Sequence, residues 1–372
     1  MTDKKIAFIR MWPNPPMGKS VAQLLQKQFP DYHVDIFDLD GLIEKRLDVS
    51  FLNSYSVMRH YGLAILTGYQ KYHEGFRKTP YFFKKSKEII VKEISKKNYA
   101  FTFQMQSLID GSTPGVPHFV YTDHTMLANQ CYPGFHPRQL PCEEWIRLEK
   151  TIYQNATLIF TLSQNISGSI IDQYLSPPEK VICVYAGGNV QTLEDGMDDR
   201  RYERKNILFV GKDWDRKGGP ELMEAFKIVL QSHPDAHLTI VGCSPRLNVP
   251  NCTVVGQVPL GEVSRYYMNA SVFCLPTKLE PFGSVFVEAQ TYKLPVVATD
   301  VGAIPDFIIE GYNGHLVKPN HVEGIAEALS DLINNPEKCR TFGENGYRLM
   351  KGRYTWDKVG ERMRRHIQPY LN

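Results

Sequence analysis

Val272-Phe-Cys-Leu-Pro-Thr-Lys-Leu-Glu-Pro-Phe-Gly-Ser-Val-Phe-Val-Glu-Ala-Gln290 decides the fold. It opens on an apolar run that reads as a buried strand ending near Leu275, crosses a short loop, and enters an apolar-periodic helix. Pro281 suits a helix start or the turn before it, because its missing N–H has no partner to lose there. Gly283 allows close backbone approach, so the amides of the first helical turn can face a ligand. With the positive end of the helix dipole those amides form an anion site, for which a diphosphate is the obvious candidate.

Outward from this unit the same alternation recurs. Strands are expected at Ile6–Ile9, His33–Phe37, Tyr99–Gln104, His118–Tyr121, Leu158–Leu162 and Val181–Tyr185, then near Ile207–Val210, Leu238–Val241, Thr253–Val255 and Pro295–Ala298. Gly219–Leu230 and Glu323–Ile333 have helical spacing, and Thr355–Leu371 reads as a last helix anchored by Trp356. Strands apolar on both faces, alternating with helices, predict parallel sheets covered by helices. The paired glycines of Ala186-Gly-Gly-Asn189 make a hinge, and the charged stretch Glu194–Lys205 leads into the second half. The expected architecture is α/β, two doubly wound domains facing a central cleft: 1–187, 188–350, and a C-terminal helix within 351–372 packing back toward the N-terminal domain.

A chain of 372 residues is longer than one core usually grows. Its 42% hydrophobic and 22% charged residues fit a soluble globular protein, and a net charge of +3 does not suggest a dedicated nucleic-acid binder. The seven cysteines include no C-x-x-C pair, which argues against a disulfide framework or zinc site and for a reducing compartment. The N-terminus lacks the apolar core of a signal peptide and no run is long enough to span a bilayer, so a cytoplasmic protein is expected.

The two acidic residues of the opening stretch differ in place. Glu280 lies on the loop, able to reach over the anion site. Glu288 lies in the helix, on a face that can point back to the same ligand, and its apolar neighbours Val285, Phe286, Val287 and Ala289 argue against a merely solvated position. A carboxylate accepts paired hydrogen bonds from adjacent hydroxyls, as on a ribose or hexose. Gly211-Lys-Asp-Trp-Asp-Arg-Lys-Gly-Gly219 follows another strand, and Lys212 and Lys217 there supply matching positive charge. Near the N-terminus, Pro13-Asn-Pro-Pro-Met-Gly-Lys-Ser20 ends like a phosphate loop but has Pro13 where its first glycine is needed, which rejects an ATPase.

The Glu280-x7-Glu288 pair, preceded by Gly211…Lys217-Gly218, resembles the donor domain of retaining glycosyltransferases of family four. The likeness extends to Ala298-Thr-Asp-Val-Gly-Ala-Ile-Pro-Asp306 and Glu310-Gly-Tyr-Asn-Gly314, and more faintly to Leu162-Ser-Gln-Asn165 and Val184-Tyr-Ala-Gly-Gly188. The resemblance implies the GT-B fold and transfer of a hexose from a nucleoside-diphosphate sugar, a UDP-sugar foremost, to a hydroxyl of a lipid, glycan or small molecule. It implies that Glu280 contacts the donor sugar, with the backbone of Phe282, Gly283, Ser284 and Val285 around sugar and phosphates. Glu288 would hold the ribose, Lys217 the diphosphate, and the base would lie near Val258. Lys212 stands where the family usually has arginine, with Arg216 near enough to compensate. His124, ending Tyr121-Thr-Asp-His124, would bond the sugar or its phosphate, though a structural histidine is the competing reading; Gly18 would approach the diphosphate or acceptor. Neither a metal nor a cofactor is expected.

The acceptor stays open. Tyr69–Asn98 holds nine Lys or Arg against three Glu, interleaved with aromatics, so peripheral contact with an anionic membrane stands beside a solvated helix with its aromatics in the core. A nucleotide-sugar epimerase or hydrolase of the same fold, and a non-catalytic nucleotide-sugar-binding protein, are the alternatives to a transferase.

Overall fold

A computed structural model of the chain describes residues 4–11, 16–43, 46–188 and 197–371. Asn189, residues 194–196 of Glu194–Lys205, and Pro13–Pro15 of the N-terminal loop lie outside them. The chain divides into two compact units, Met1–Tyr185 with Trp356–Asn372, and Ala186–Thr355.

The first unit is built on a parallel sheet of β1 (Lys4–Arg10), β2 (Tyr32–Asp38), β3 (Phe101–Met105), β4 (His118–Thr122), β5 (Leu158–Thr161) and β6 (Val181–Cys183), in the order β2-β1-β3-β4-β5-β6. β3, β4 and β5 are buried along their whole length, which is why they read as unbroken apolar runs. Across them Phe101 meets Phe119 edge-on at 5.5 Å and Phe103 stacks on Phe160 at 6.4 Å.

The C-terminal helix Trp356–Ile367 belongs to this unit. It buries Val359, Met363 and Ile367, and lies close enough to the helix Pro16–Gln28 that a Cβ on Gly360 would come within 2.8 Å of Gln28. Lys27 and Asp357 pair at 2.6 Å, and Arg362 donates to the Val184 carbonyl at 2.8 Å. Trp356 sits with Leu24 and Gln28 in the seam between the two helices. The chain leaves the unit through Tyr185, whose φ of 62° is left-handed and whose carbonyl accepts from the Tyr121 hydroxyl at 2.6 Å.

The second unit repeats the plan with β7 (Asn206–Val210), β8 (His237–Val241), β9 (Cys252–Gly256), β10 (Val272–Leu275), β11 (Val296–Thr299) and β12 (Gly314–Val317), ordered β12-β11-β10-β7-β8-β9, all parallel. Each strand anticipated from the apolar runs forms, and β12 is an addition. Its four residues hold two aliphatic side chains and form an edge, too little for a periodic signal. The fold is therefore α/β with two Rossmann-like doubly wound domains.

The helix Pro336–Arg353 reaches this core through Gly343, where an added Cβ would lie 2.0 Å from the Lys293 carbonyl oxygen. That carbonyl also accepts from the Tyr202 hydroxyl at 2.7 Å and cannot easily retreat. Gly343→Ala should destabilise the second unit by at least about 2 kcal/mol, read as a lower melting temperature; an unchanged transition would refute the contact.

Candidate active site

In the second unit the chain lays β8 and β9 to one side of β7 and then returns to place β10 on the other. The reversal opens a crevice beyond the carboxyl ends of β7 and β10, where open parallel sheets bind ligands. The loops leaving those two strands, 211–219 and 276–283, carry both charged motifs.

Backbone geometry brings the loops into contact. Gly218 has φ 75°, and a Cβ there would stand 1.9 Å from the Pro276 carbonyl oxygen, so a side chain fits neither the conformation nor the space. Arg216 donates through Nη1 to the Leu279 carbonyl at 3.0 Å, and its own carbonyl accepts from the Lys278 amide at 2.9 Å. Its Nε points to Asp213 at 3.3 Å, so this guanidinium fastens the second loop. Trp214 packs edge-on against Phe209 at 5.3 Å and covers Gly219, where a Cβ would lie 2.2 Å from its ring.

Within that frame the Lys217 ammonium pairs with the Glu280 carboxylate, the two side chains only 12% and 7% exposed. The Glu280 carbonyl accepts from the Ala303 amide at 3.1 Å, so the residue is held at both its backbone and its head. Gly283, with φ 89°, caps the helix Ser284–Thr291. A Cβ on it would come 2.6 Å from the Phe286 ring and 3.1 Å from the Glu280 side chain. The first amides of that helix, from Ser284 and Val285, have no acceptor within it and lie next to Glu280 in the chain. Phe282 is buried edge-on against Phe307 at 5.2 Å, which fixes the loop between Glu280 and the helix.

Glu288 lies inside the helix, buried, its carboxylate accepting one hydrogen bond among the described residues, from the Tyr267 hydroxyl at 3.1 Å. Burial pushes its carboxyl up to about 7, only partly offset by that hydroxyl. Lys212 is exposed at the end of β7 and forms no ion pair among the described residues; Val258 is half-buried in the loop after β9. Lys217, Glu280, Phe282, Gly283 and Ser284 are thus gathered around one helix start, with Glu288 farther along the same helix.

Gly18 and His124 belong to the first unit. Gly18 is buried in the first turn of the helix Pro16–Gln28. His124 follows β4, and burial, with the nearby Lys78 charge, pushes its imidazole down to about 4, leaving it neutral near pH 7. Its Nδ1 is buried without a partner among the described residues, while its carbonyl accepts from Ser107 Oγ at 2.9 Å. The roles of both toward a donor rest on the resemblance alone.

Tyr267, Thr277 and Thr299 join the site from positions that carry no local signal. Tyr267 stacks on Tyr292 at 5.4 Å and reaches Glu288 from a different helix. Thr299 donates to the Thr277 carbonyl, and Thr277 to the Leu279 carbonyl at 3.0 Å, bracing the loop that carries Glu280.

Residues 198–349 match the family model described as glycosyl transferases group 1. The capsular polysaccharide biosynthesis glycosyltransferase CapM of Staphylococcus aureus is 26% identical over 247 residues, 60% of this chain and 64% of that protein. The chain therefore spans under two thirds of that relative's length. Among solved structures, sucrose-phosphate synthase from Thermosynechococcus elongatus aligns with TM-score 0.70 and 18% identity, covering 98% of each chain. HepE of Anabaena in complex with UDP aligns with TM-score 0.65 and 14% identity, covering 98% of this chain and 100% of that one. The solved structures bear out the GT-B fold, and residues 198–349 carry the likeness to group 1 glycosyl transferases.

A carboxyl raised by burial stabilises the fold when protonated; for Glu288 that contribution is present below 4.5, the ordinary value, and is lost as pH climbs through about 7. Glu288→Gln should therefore be more stable than the native chain above about pH 7, by up to about 3 kcal/mol, and lose the advantage toward about pH 4. Denaturant titrations across that range would show parallel curves if the carboxyl were not desolvated.

Proposed function

We propose that this chain is a retaining glycosyltransferase that moves a hexose from a UDP-sugar to a hydroxyl acceptor. The observation that carries it is the pairing of Lys217 with Glu280 beside the start of the helix Ser284–Thr291, at the sheet's switch point. A cation, a carboxylate and unsatisfied helical amides within one crevice match a sugar joined to a diphosphate. The UDP complex of HepE supports the choice of nucleotide, and retention rests on the likeness in the Glu280-x7-Glu288 motif.

The diphosphate draws the Lys217 ammonium away from Glu280 and takes the amides of Ser284 and Val285, with Lys212 as an outer cation. Glu280, released from its ion pair, accepts hydrogen bonds from the sugar hydroxyls. Glu288 accepts from the ribose hydroxyls, and the base lies along Val258. In the transfer step the bond from the anomeric carbon to the diphosphate oxygen breaks while the acceptor oxygen bonds to that carbon from the same face. The acceptor's proton passes to the departing diphosphate. Lys217 and the helix start stabilise the charge that develops there, the larger share of catalysis in a preorganised site. Glu280 holds substrate and is not the base.

Lys217→Ala and Glu288→Ala should each weaken UDP binding by about a hundredfold in calorimetry, with transfer from a UDP-hexose falling in parallel. Unchanged UDP affinity in both variants would overturn the assignment. Because Glu288 must be ionised to accept from two hydroxyls, UDP binding near about pH 6 should release a proton, seen as a buffer-dependent binding enthalpy that Glu288→Gln abolishes.

A further inference from the structure

The helix Leu47–Leu66 of the first unit carries apolar residues on its outer side as well as its buried one. Its inner side holds Val49, Asn53, Ser56 and Val57, and the Asn53 amide fastens it by donating to the Phe76 carbonyl at 2.6 Å. Its outer side carries Leu47 (82% exposed), Phe51 (78%), Tyr55 (69%), Met58, Leu63 (78%) and Leu66 (82%). At the pitch of an α-helix these positions form a band about 28 Å long and about 160° wide. Single exposed apolar residues are ordinary on a soluble surface; a band of this extent, interrupted only by Asp48 and Arg59, marks a surface that is covered in use.

The charges around the band say by what. Asp48, a carboxylate at the helix start, is held by a two-armed contact from Arg46 at 2.8 and 3.0 Å. Arg59, on the outer side, and Lys71, just beyond the helix end, have no carboxylate partner among the described residues. A helical partner covers a stripe of about 100°, narrower than this band, whereas fluid acyl chains cover a convex face entirely. The neighbouring segment Tyr69–Asn98 is a poorer fit. It buries Phe82 and Phe83, and Lys84, Lys87 and Lys97 are taken by Glu144, Asp110 and Asp35.

We propose that the helix Leu47–Leu66 lies flat in the headgroup layer of an anionic lipid bilayer, with its apolar band toward the acyl chains and Arg59 and Lys71 on the lipid phosphates. Among the described residues no helix is long and apolar enough to cross a membrane, so the contact is in-plane.

The full chain would be mixed with phosphatidylcholine vesicles, with and without phosphatidylglycerol, and sedimented. The native chain should bind the anionic vesicles, less but still measurably at high salt. Leu47→Ser/Phe51→Ser/Leu63→Ser, all at exposed positions, should keep the native melting temperature and lose at least about tenfold in partitioning. Phe51→Trp, which retains the apolar surface, should show a blue-shifted emission on adding vesicles. Absence of native binding to either vesicle, equal binding by the triple variant, or no emission shift would overturn the proposal. A dimer in solution that the triple variant converts to monomer would also overturn it, assigning the face to a second copy.

Discussion

The close approach of the loops after β7 and β10 rests on a single position without a side chain. Gly218 sits with its missing Cβ almost on the Pro276 carbonyl, in a backbone conformation that other residues avoid. From that contact follow the bonds from Arg216 to the second loop, the reach of Lys217 to Glu280, and the placement of Glu280 beside Gly283. The charged residues are common types. What makes them a site is that two loops separated by about a third of a domain's sequence are forced together where the sheet changes direction.

The two buried glutamates of the site are unlike each other. Glu280 is neutralised by a neighbouring ammonium, so its charge is balanced within the protein. Glu288 has only a phenol for company and is held close to the point of protonation. An acid kept desolvated without a cation is unfavourable for stability and persists where something else meets it, the usual signature of a functional position. Glu149 in the first unit shows the same elevation, to about 7, but three donors from Met126, Tyr153 and Tyr174 surround it, and it reads as a structural acid.

Strands such as Phe101–Met105 and Val272–Leu275 were legible because they are apolar on both faces and bounded by turn residues, which is what a buried parallel strand requires. The motif residues were legible because loop and helix start are contiguous in sequence. Tyr267 was not, since it reaches Glu288 from a separate helix, and the bracing threonines act through backbone carbonyls that leave no trace in composition. The helix Leu47–Leu66 escaped notice for another reason. With apolar residues on its inner and outer sides alike, it carries little periodic contrast, and attention falls on the denser cations of the segment that follows, most of which are already paired within the fold.

The return of Trp356–Ile367 to the first unit has a consequence for the order of assembly. Residues 186–355 form a continuous stretch and can close their sheet as soon as they have left the ribosome. The first unit, although it starts earlier, stays without the helix that covers Pro16–Gln28 and the Arg362 contact to Val184 until the whole of the second has been synthesised. During that interval the half with the broad apolar helix is the unfinished one, so it is the half that would profit from a chaperone or from an early encounter with lipid.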